Sequence, residues 1–272
     1  YTAPSETGVF MLFYKIFAAS QSSEWVVFVH GAGGSSAVWF KQLRAFQKEF
    51  NVLLVDLRGH GRSNDYHGEG AYSIEAISQD VLKVLDKESI KSAHFVGVSL
   101  GTILIRTIVE MAPERALSAV YAGAVAGFTK WARILIVAGQ SLKYLVPFET
   151  LYAIFAWIIM PGKKAAEARK VFIRESRRVA PEEFRRWLGL IPSVSRKLQK
   201  WASVQSKMRS LYLMGSRDYM FLPPAKKVVA RTPNSHLQVI DGVGHVCNIE
   251  RPEVFNEIAI AFLKRTTSTS VA

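Results

Sequence analysis

Short runs of β-branched and aromatic residues alternate with segments of helical periodicity through the first half of the chain. Trp25–Val29 is a continuous β-branched and aromatic run, as expected of a strand that is buried on both faces, and Asn51–Val55 reads as another buried strand. Helical spacing follows each run, over 35–49 and over 72–87. Strands that alternate with helices indicate a parallel sheet covered by helices on both faces. The sequence therefore predicts an α/β fold.

The same alternation continues along the chain, stops after residue 127 and resumes near residue 207. Further strands are predicted at 9–17, 93–96, 119–121, 210–214 and 236–240, and further helices at 100–111, 223–231 and 252–264. Between 128 and 206 the periodicity is helical throughout. We therefore expect one core made of residues 1–127 and 207–272, interrupted by an all-helical cap at 128–206. Residues 266–272 show no apolar pattern, which predicts a disordered tail.

The composition suits a single large domain with a substantial core. The chain has 272 residues, of which 49% are hydrophobic, and one cysteine, Cys247, so that no intrachain disulfide can form. No signal-peptide pattern opens the sequence, and the first residue is Tyr1 rather than Met, which leaves open whether residues precede it. We expect a cytoplasmic protein, or one that associates peripherally with a membrane.

The positive charge is concentrated in one segment. The formal net charge is +13, and residues 163–209 hold 14 Lys and Arg against four Asp and Glu. Helical spacing predicts one basic face there, made of Lys163, Lys170, Arg174, Arg177 and Arg178.

That face has two interpretations: the solvated side of a packed helix, or a cationic rim that binds an anionic acyl substrate or an anionic membrane. The second interpretation predicts activity on vesicles that increases with anionic lipid and falls with salt. No nucleic-acid-binding module accompanies the charge, so we expect no nucleic acid partner. The oligomeric state is not indicated by the sequence.

A candidate nucleophile lies between a predicted strand and a predicted helix. Ser99 is the centre of Gly97-Val98-Ser99-Leu100-Gly101, which has the pattern G-x-S-x-G. A turn this sharp leaves no room for side chains two residues away on either side, which accounts for both glycines. The serine oxygen would then be exposed at the tip of the turn.

Two later residues supply the base and the acid that such a serine needs. His245 follows the last predicted strand in Asp241-Gly242-Val243-Gly244-His245, and Asp218 follows the preceding strand in Gly215-Ser216-Arg217-Asp218. The chain order is serine, aspartate, histidine. Asp241 lies four residues before His245 and is the alternative acid.

Candidate oxyanion donors are present on both sides of the serine. The first is the amide of Leu100. The second is the amide of Ala32, in the glycine-rich loop His30-Gly31-Ala32-Gly33-Gly34. Two aligned amides in a site without water contribute roughly 3 kcal/mol each to the transition state. His30 and His60 are expected to be buried, hydrogen-bonded supports of the neighbouring loops.

Together these segments resemble the α/β-hydrolase superfamily, in its branch of single-domain esterases and lipases with a helical cap. The matching motifs also include 56–63 (Asp-Leu-Arg-Gly-His-Gly-Arg-Ser) and 250–253 (Glu-Arg-Pro-Glu). The resemblance implies a mostly parallel sheet flanked by helices. It also implies that Ser99, Asp218 and His245 form the catalytic triad, with no cofactor. We expect no metal site, because no two histidines stand at ligand spacing.

The substrate pocket is less specified by the sequence. The loop residues Gly31 and Gly33 are expected to approach the substrate. Val98 stands where the family often has a polar residue, and we expect this difference to affect only the floor of the pocket. The apolar residues of the cap supply the other candidates for its lining: Trp131, Leu135, Leu142, Phe155 and Trp157. This apolar composition favours hydrophobic acyl groups.

The predicted reaction is hydrolysis of a small carboxylic ester through an acyl-enzyme. The same residues would also serve a thioesterase, a lactonase, a hydrolase of carbon–carbon bonds, an amidase or peptidase, or a perhydrolase. A different class is a ligand sensor that keeps the triad and signals through a protein partner. Labelling by a fluorophosphonate probe distinguishes an enzyme from a sensor with an inactive site.

Overall fold

The computed structural model describes residues 11–19, 24–68, 70–142, 144–163, 165–204 and 206–267. Within them, seven strands form a single sheet in the order β1-β3-β2-β4-β5-β6-β7. β1 pairs with β3 in the antiparallel direction, and all other pairs are parallel. The strands are β1 (Tyr14–Phe17), β2 (Trp25–Val29), β3 (Asn51–Val55), β4 (Ala93–Val98), β5 (Ala116–Ala122), β6 (Ser210–Gly215) and β7 (Ser235–Ile240).

Helices cover this sheet and also form the insertion between β5 and β6. Those of the sheet are α1 (Phe40–Phe46), α2 (Ile74–Lys87) and α3 (Leu100–Met111) before the insertion. The insertion contains α4 (Lys130–Leu142), α5 (Phe148–Ile159), α6 (Ala166–Ser176), α7 (Pro181–Gly189) and α8 (Ile191–Ser203). After it come α9 (Leu222–Val229), α10 (Cys247–Glu250) and α11 (Pro252–Thr267). The predicted fold class is confirmed: this is an α/β-hydrolase fold.

The centre of the sheet determines where the loops meet. β2 lies between β3 and β4, and its last residue, Val29, pairs with both Val55 and Gly97. The carboxyl ends of these parallel strands therefore lie side by side. This arrangement places the glycine-rich loop after β2 directly beside the turn after β4.

The sheet helices are held by burial and by local caps. In α2, Ser73 caps the N-terminus by accepting a hydrogen bond from the amide of Ala76 at 3.1 Å. The helix buries Ile77, Val81 and Leu85, at the helical spacing that the sequence shows. Replacing such a serine cap by alanine costs about 1 kcal/mol.

Some element boundaries differ from the sequence prediction. Residues 36–39 form a 3-10 turn before α1, because the side chain of Ser35 accepts a hydrogen bond from the amide of Ala37 and tightens the chain. Of the described residues 11–17 within the predicted strand 9–17, Tyr14–Phe17 belong to the sheet, and residues 9 and 10 lie outside the described residues. α11 extends to Thr267, two residues into the predicted tail, and 268–272 lie outside the described residues.

Two buried carboxylates attach the insertion to the core. Glu175 of α6 accepts a hydrogen bond from the Ser35 hydroxyl at 2.7 Å, and Glu183 of α7 accepts one from the Tyr72 hydroxyl at 3.0 Å. Both glutamates also pair with arginines of the insertion, Arg178 and Arg186. Since a buried charge without partners is strongly unfavourable, these contacts tie the insertion firmly to the core loops near residues 35 and 72.

Candidate active site

Ser99 occupies a strained backbone conformation between β4 and α3. Its φ and ψ angles are 53° and −119°, in a region where a residue with a side chain is uncommon. Its amide donates to the Ala122 carbonyl at 3.0 Å, and its carbonyl accepts from the amide and the hydroxyl of Thr102. Such strain costs about 1–3 kcal/mol and concentrates at functional sites.

The two glycines of the turn are required by close packing. A Cβ built on Gly101 would overlap the carbonyl oxygen of Val29, and one built on Gly97 would lie 2.5 Å from Cδ1 of Ile105. Helix α3 can therefore begin directly against the end of β2, which leaves the Ser99 side chain at the tip of the turn.

His245 and Asp218 are in direct contact. Nδ1 of His245 donates to Oδ2 of Asp218 at 2.8 Å, and both side chains are almost completely buried. The other carboxylate oxygen of Asp218 accepts from the amide of Phe221 at 3.2 Å, and the Phe221 ring lies 4.7 Å from the imidazole. The aspartate therefore fixes the orientation of the histidine ring and leaves Nε2 as the free nitrogen.

A short chain of contacts connects this pair with the serine. The Ser99 amide is bonded to Ala122, and the next residue, Gly123, packs so closely on His245 that a Cβ there would lie 3.1 Å from Nδ1. Nε2 of His245 is buried and has no hydrogen-bond partner among the described residues. A buried nitrogen without a partner is uncommon in folded proteins and marks this imidazole as a candidate base.

The structure separates the two candidate acids. Asp241 is exposed, and its Oδ1 accepts a hydrogen bond from the Ser216 hydroxyl at 3.0 Å. The same hydroxyl accepts from the amide of Gly242, so that these residues form a local turn. Asp218 is the carboxylate on His245.

The two predicted oxyanion donors have no acceptor among the described residues. The Leu100 amide lies in the first turn of α3, where backbone donors have no partner within the helix. Ala32 belongs to the turn closed by the Gly34 amide on the Gly31 carbonyl at 3.1 Å. A Cβ built on Gly31 would lie 3.8 Å from the Ser99 hydroxyl, which places this loop against the serine.

Two buried histidines support the loop, as the sequence predicts. The Gly33 amide donates to Nε2 of His60 at 2.9 Å, and the Leu57 amide donates to Nε2 of His30 at 3.0 Å. Burial lowers the pKa of His60 to about 3 and that of His30 to about 4, so both rings are neutral and accept these bonds. The Gly33 amide is thereby already used within the protein.

Tyr152 is a residue of the site that the sequence does not reveal. Its hydroxyl reaches from α5 in the insertion and donates to the Ala32 carbonyl at 2.6 Å. A Cβ on Gly33 would overlap this hydroxyl, and the Tyr152 ring stacks on Phe172. In the sequence Tyr152 is one member of an apolar run, and its partner lies 120 residues away, so no local pattern could identify the contact.

The side chains predicted to line the substrate pocket lie at different depths. Val98 is buried and Leu135 is half-buried. The others are exposed on α4 and α5: Trp131 (71%), Leu142 (40%), Phe155 (37%) and Trp157 (57%). Trp157 is covered on one side by the Arg169 guanidinium, 3.7 Å from the ring centre. Their contact with substrate stays a prediction.

Cys247 lies two residues after His245 but does not compete with Ser99. Its thiol is buried and bonded to the Leu213 carbonyl, and burial raises its pKa to about 12. A thiol that stays protonated is a poor nucleophile. Glu250 accepts from the Gly244 amide at 3.1 Å and so holds the loop that carries His245, and burial raises the pKa of this carboxyl.

The predicted basic face is exposed. Lys163, Lys170, Arg174, Arg177 and Arg178 all lie at the surface. Two of these five, Arg174 and Arg178, pair with Glu175. Contact of this face with an anionic membrane stays a prediction. In the part of the chain that the structure describes, no helix is long and apolar enough to cross a bilayer.

Comparison with known proteins identifies the family. The model of the alpha/beta hydrolase family matches residues 26–258. The chain therefore belongs to the alpha/beta hydrolase family.

Two curated relatives and one solved structure illustrate the range of the family. A protein of Caulobacter segnis named putative carbamate hydrolase RutD is 26% identical over 89% of this chain and 91% of its own length. A 3-oxoadipate enol-lactonase 2 of Acinetobacter baylyi is 24% identical over 88% of each chain. The crystal structure of an enol-lactonase from Burkholderia xenovorans superposes with a TM-score of 0.77, at 20% identity, over 93% of this chain and 96% of that one.

Proposed function

We propose that the protein is a serine hydrolase that cleaves carboxylic esters, including cyclic ones, through an acyl-enzyme. The observation that carries the proposal is the hydrogen bond between His245 and Asp218, which leaves the other imidazole nitrogen buried and without a partner among the described residues. Ser99 is linked to this histidine through the neighbouring residues Ala122 and Gly123. This arrangement supplies a nucleophile, a base and an orienting acid.

The proposed reaction proceeds in two steps. Nε2 of His245 takes the proton of the Ser99 hydroxyl as its oxygen attacks the ester carbonyl, and then returns that proton to the leaving alcohol. In the second step His245 takes a proton from water as the water oxygen attacks the acyl-enzyme, and then gives that proton to the departing Ser99 oxygen, which releases the acid and restores the free serine. Asp218 stabilises the imidazolium during both steps, and the free amides of Ala32 and Leu100 bind the oxyanion.

The names of the similar proteins point to two kinds of bond that this scheme could cleave. The enol-lactonase names point to a cyclic ester, and the carbamate hydrolase name points to a carbonyl that carries a nitrogen. Carbamate hydrolysis is therefore the second candidate. Both bonds would use the same nucleophile and oxyanion donors, so the two candidates differ in the substrates that are turned over.

A substrate panel tests the proposal. We expect turnover of p-nitrophenyl esters or of lactones of graded chain length, with slower turnover of the matched thioesters and carbamates. Ser99→Ala should remove turnover and leave the far-ultraviolet circular dichroism and melting temperature close to wild type. Higher kcat/KM on carbamates than on every ester would favour the second candidate, and activity retained in Ser99→Ala would overturn both.

A further inference from the structure

A groove lies beside the candidate active site without including Ser99, Asp218 or His245. It is about 570 Å³ in volume and lies between α4, α8, α9 and the segment 126–129 that follows β5. The volume falls within the about 300–1,000 Å³ that small-molecule sites occupy. The groove is therefore large enough to bind a ligand of its own.

The groove is lined mainly by apolar side chains, with Thr129, Ser195, Gln199 and Thr232 as its uncharged polar members. Its floor contains the buried side chains of Leu198, Trp201 and Val228, and Ile136 and Pro224 line the walls. The Trp201 indole nitrogen donates outside the groove, to Glu110 at 3.3 Å, and so presents no unsatisfied donor to an occupant. A hydrocarbon chain placed here would contact these apolar side chains and bury part of its surface against them.

The charges of the groove have one sign. Arg133, Lys227 and Arg231 belong to its described lining, and that lining contains no Asp or Glu. All three cations are exposed, and none forms an ion pair within the described residues. The groove therefore combines a positive charge that no carboxylate of its described lining balances with the apolar side chains of its floor.

We infer that this groove binds a single-chain anionic amphiphile, a hydrocarbon with a carboxylate or sulfate head. The apolar floor of Leu198, Trp201 and Val228 would contact the chain, and the three cations would contact the head. A small inorganic anion would gain nothing from the floor, and a neutral hydrocarbon would gain nothing from the cations. An amphiphile with a cationic head would be repelled.

The inference is independent of the proposed reaction. The groove needs no nucleophile to bind a ligand, and none of its lining residues takes part in the acyl-transfer scheme above. It does adjoin the site, because Gly127 lies against Pro224 and the same segment packs on His245 at Gly123.

Calorimetric titration tests the inference, with decanoate below its micellar concentration as the probe and decyltrimethylammonium as the matched cation. We expect decanoate to bind to wild-type protein and the cation not to bind. The double variant Lys227→Gln/Arg231→Gln should weaken decanoate binding about tenfold, since two unit charges leave the head-group site. Ala202→Trp, which fills the groove from α8, should weaken it at least as much.

The control variant is Lys170→Gln/Arg177→Gln, which removes the same charge from exposed positions on and just beyond α6. We expect unchanged decanoate affinity in this control, with the melting temperature of every variant measured alongside. The inference would be overturned if the control variant lost as much decanoate affinity as Lys227→Gln/Arg231→Gln. It would also be overturned if decyltrimethylammonium bound as tightly as decanoate, or if Ala202→Trp bound decanoate with unchanged affinity.

A further titration tests whether decanoate binds away from Ser99. Wild-type protein labelled at Ser99 by a fluorophosphonate should bind decanoate as well as unlabelled protein does. Binding that disappears on labelling would place decanoate at Ser99 and overturn the inference. A protein that binds decanoate but is not labelled would contradict the proposed function and leave the groove assignment intact.

Discussion

At the scale of single residues, the site depends on which carboxylate holds the histidine. Asp218 is buried and bonded to Nδ1 of His245 at 2.8 Å, whereas Asp241 is exposed and bonded to Ser216. Only the first can select the imidazole tautomer that has Nε2 free as a base.

Replacing each aspartate by asparagine tests this difference. Asp218→Asn should lower kcat about 10⁴-fold, because the amide favours the wrong tautomer and cannot stabilise the imidazolium. Asp241→Asn, the matched control, should leave kcat close to wild type. Steady-state kinetics on the best ester of the panel measure both. A large loss in Asp241→Asn with little loss in Asp218→Asn would contradict the assignment.

At the scale of elements, helix α5 of the insertion contacts the oxyanion loop through one hydroxyl. Tyr152 donates to the Ala32 carbonyl, and the His60 ring accepts from the next amide, that of Gly33. The loop is therefore held from the insertion on one side and from the core on the other. Tyr152 acts here as a positioning residue for the Ala32 amide.

Tyr152→Phe should lower kcat several-fold with a smaller change in KM, because the freed loop presents the Ala32 amide less well to the oxyanion. The free energy of unfolding should fall by about 1 kcal/mol, the usual net contribution of such a hydrogen bond. Tyr14→Phe is the control, since its hydroxyl bonds to Glu88, the residue that follows α2, and its loss should affect stability alone. Equal kcat in wild type and Tyr152→Phe would refute the positioning role.

Elements with strong local patterns could be predicted from the sequence, and contacts between distant elements could not. The buried strand β2 is apolar throughout, β3 is apolar after Asn51, and the turn at Ser99 is marked by two glycines, so these features appear in the sequence itself. The order serine, aspartate, histidine follows from where each residue stands after its strand. By contrast, the Tyr152 and Glu175 contacts join residues more than 100 positions apart, and no periodicity encodes them.

At the scale of the whole molecule, the positive charge is concentrated in the insertion, and two buried histidines make the stability of the core depend on pH. Residues 128–206 hold 15 Lys and Arg against five Asp and Glu, so the insertion contributes +10 of the net charge of +13. His30 and His60 are buried, neutral and adjacent, with ring centres 5.1 Å apart.

Stability should therefore fall as the pH is lowered from 7 to 5. The pKa values of about 4 for His30 and about 3 for His60 lie below the ordinary value, so in this range the unfolded chain binds protons that the folded protein does not. The contribution of these neutral rings to the free energy of unfolding is fully present above about pH 6.5. It is lost as the pH falls toward the pKa values of the folded protein, by at most about 1.4 kcal/mol per pH unit for each ring.

Urea unfolding at pH 7, 6 and 5 measures this slope. His60→Gln should reduce it, and His236→Gln, a control at an exposed position, should leave it unchanged. Stability that is constant or rises between pH 7 and pH 5 would show that the two buried rings are not held neutral.

The central claim is that Ser99 forms an acyl-enzyme, and intact-protein mass spectrometry after a rapid acid quench tests it most directly. During turnover of a p-nitrophenyl ester, we expect a mass increase equal to one acyl group, located by peptide mapping to the peptide that contains Ser99, and none in Ser99→Ala. An adduct on another residue, or undiminished turnover by Ser99→Ala without an adduct, would contradict the account.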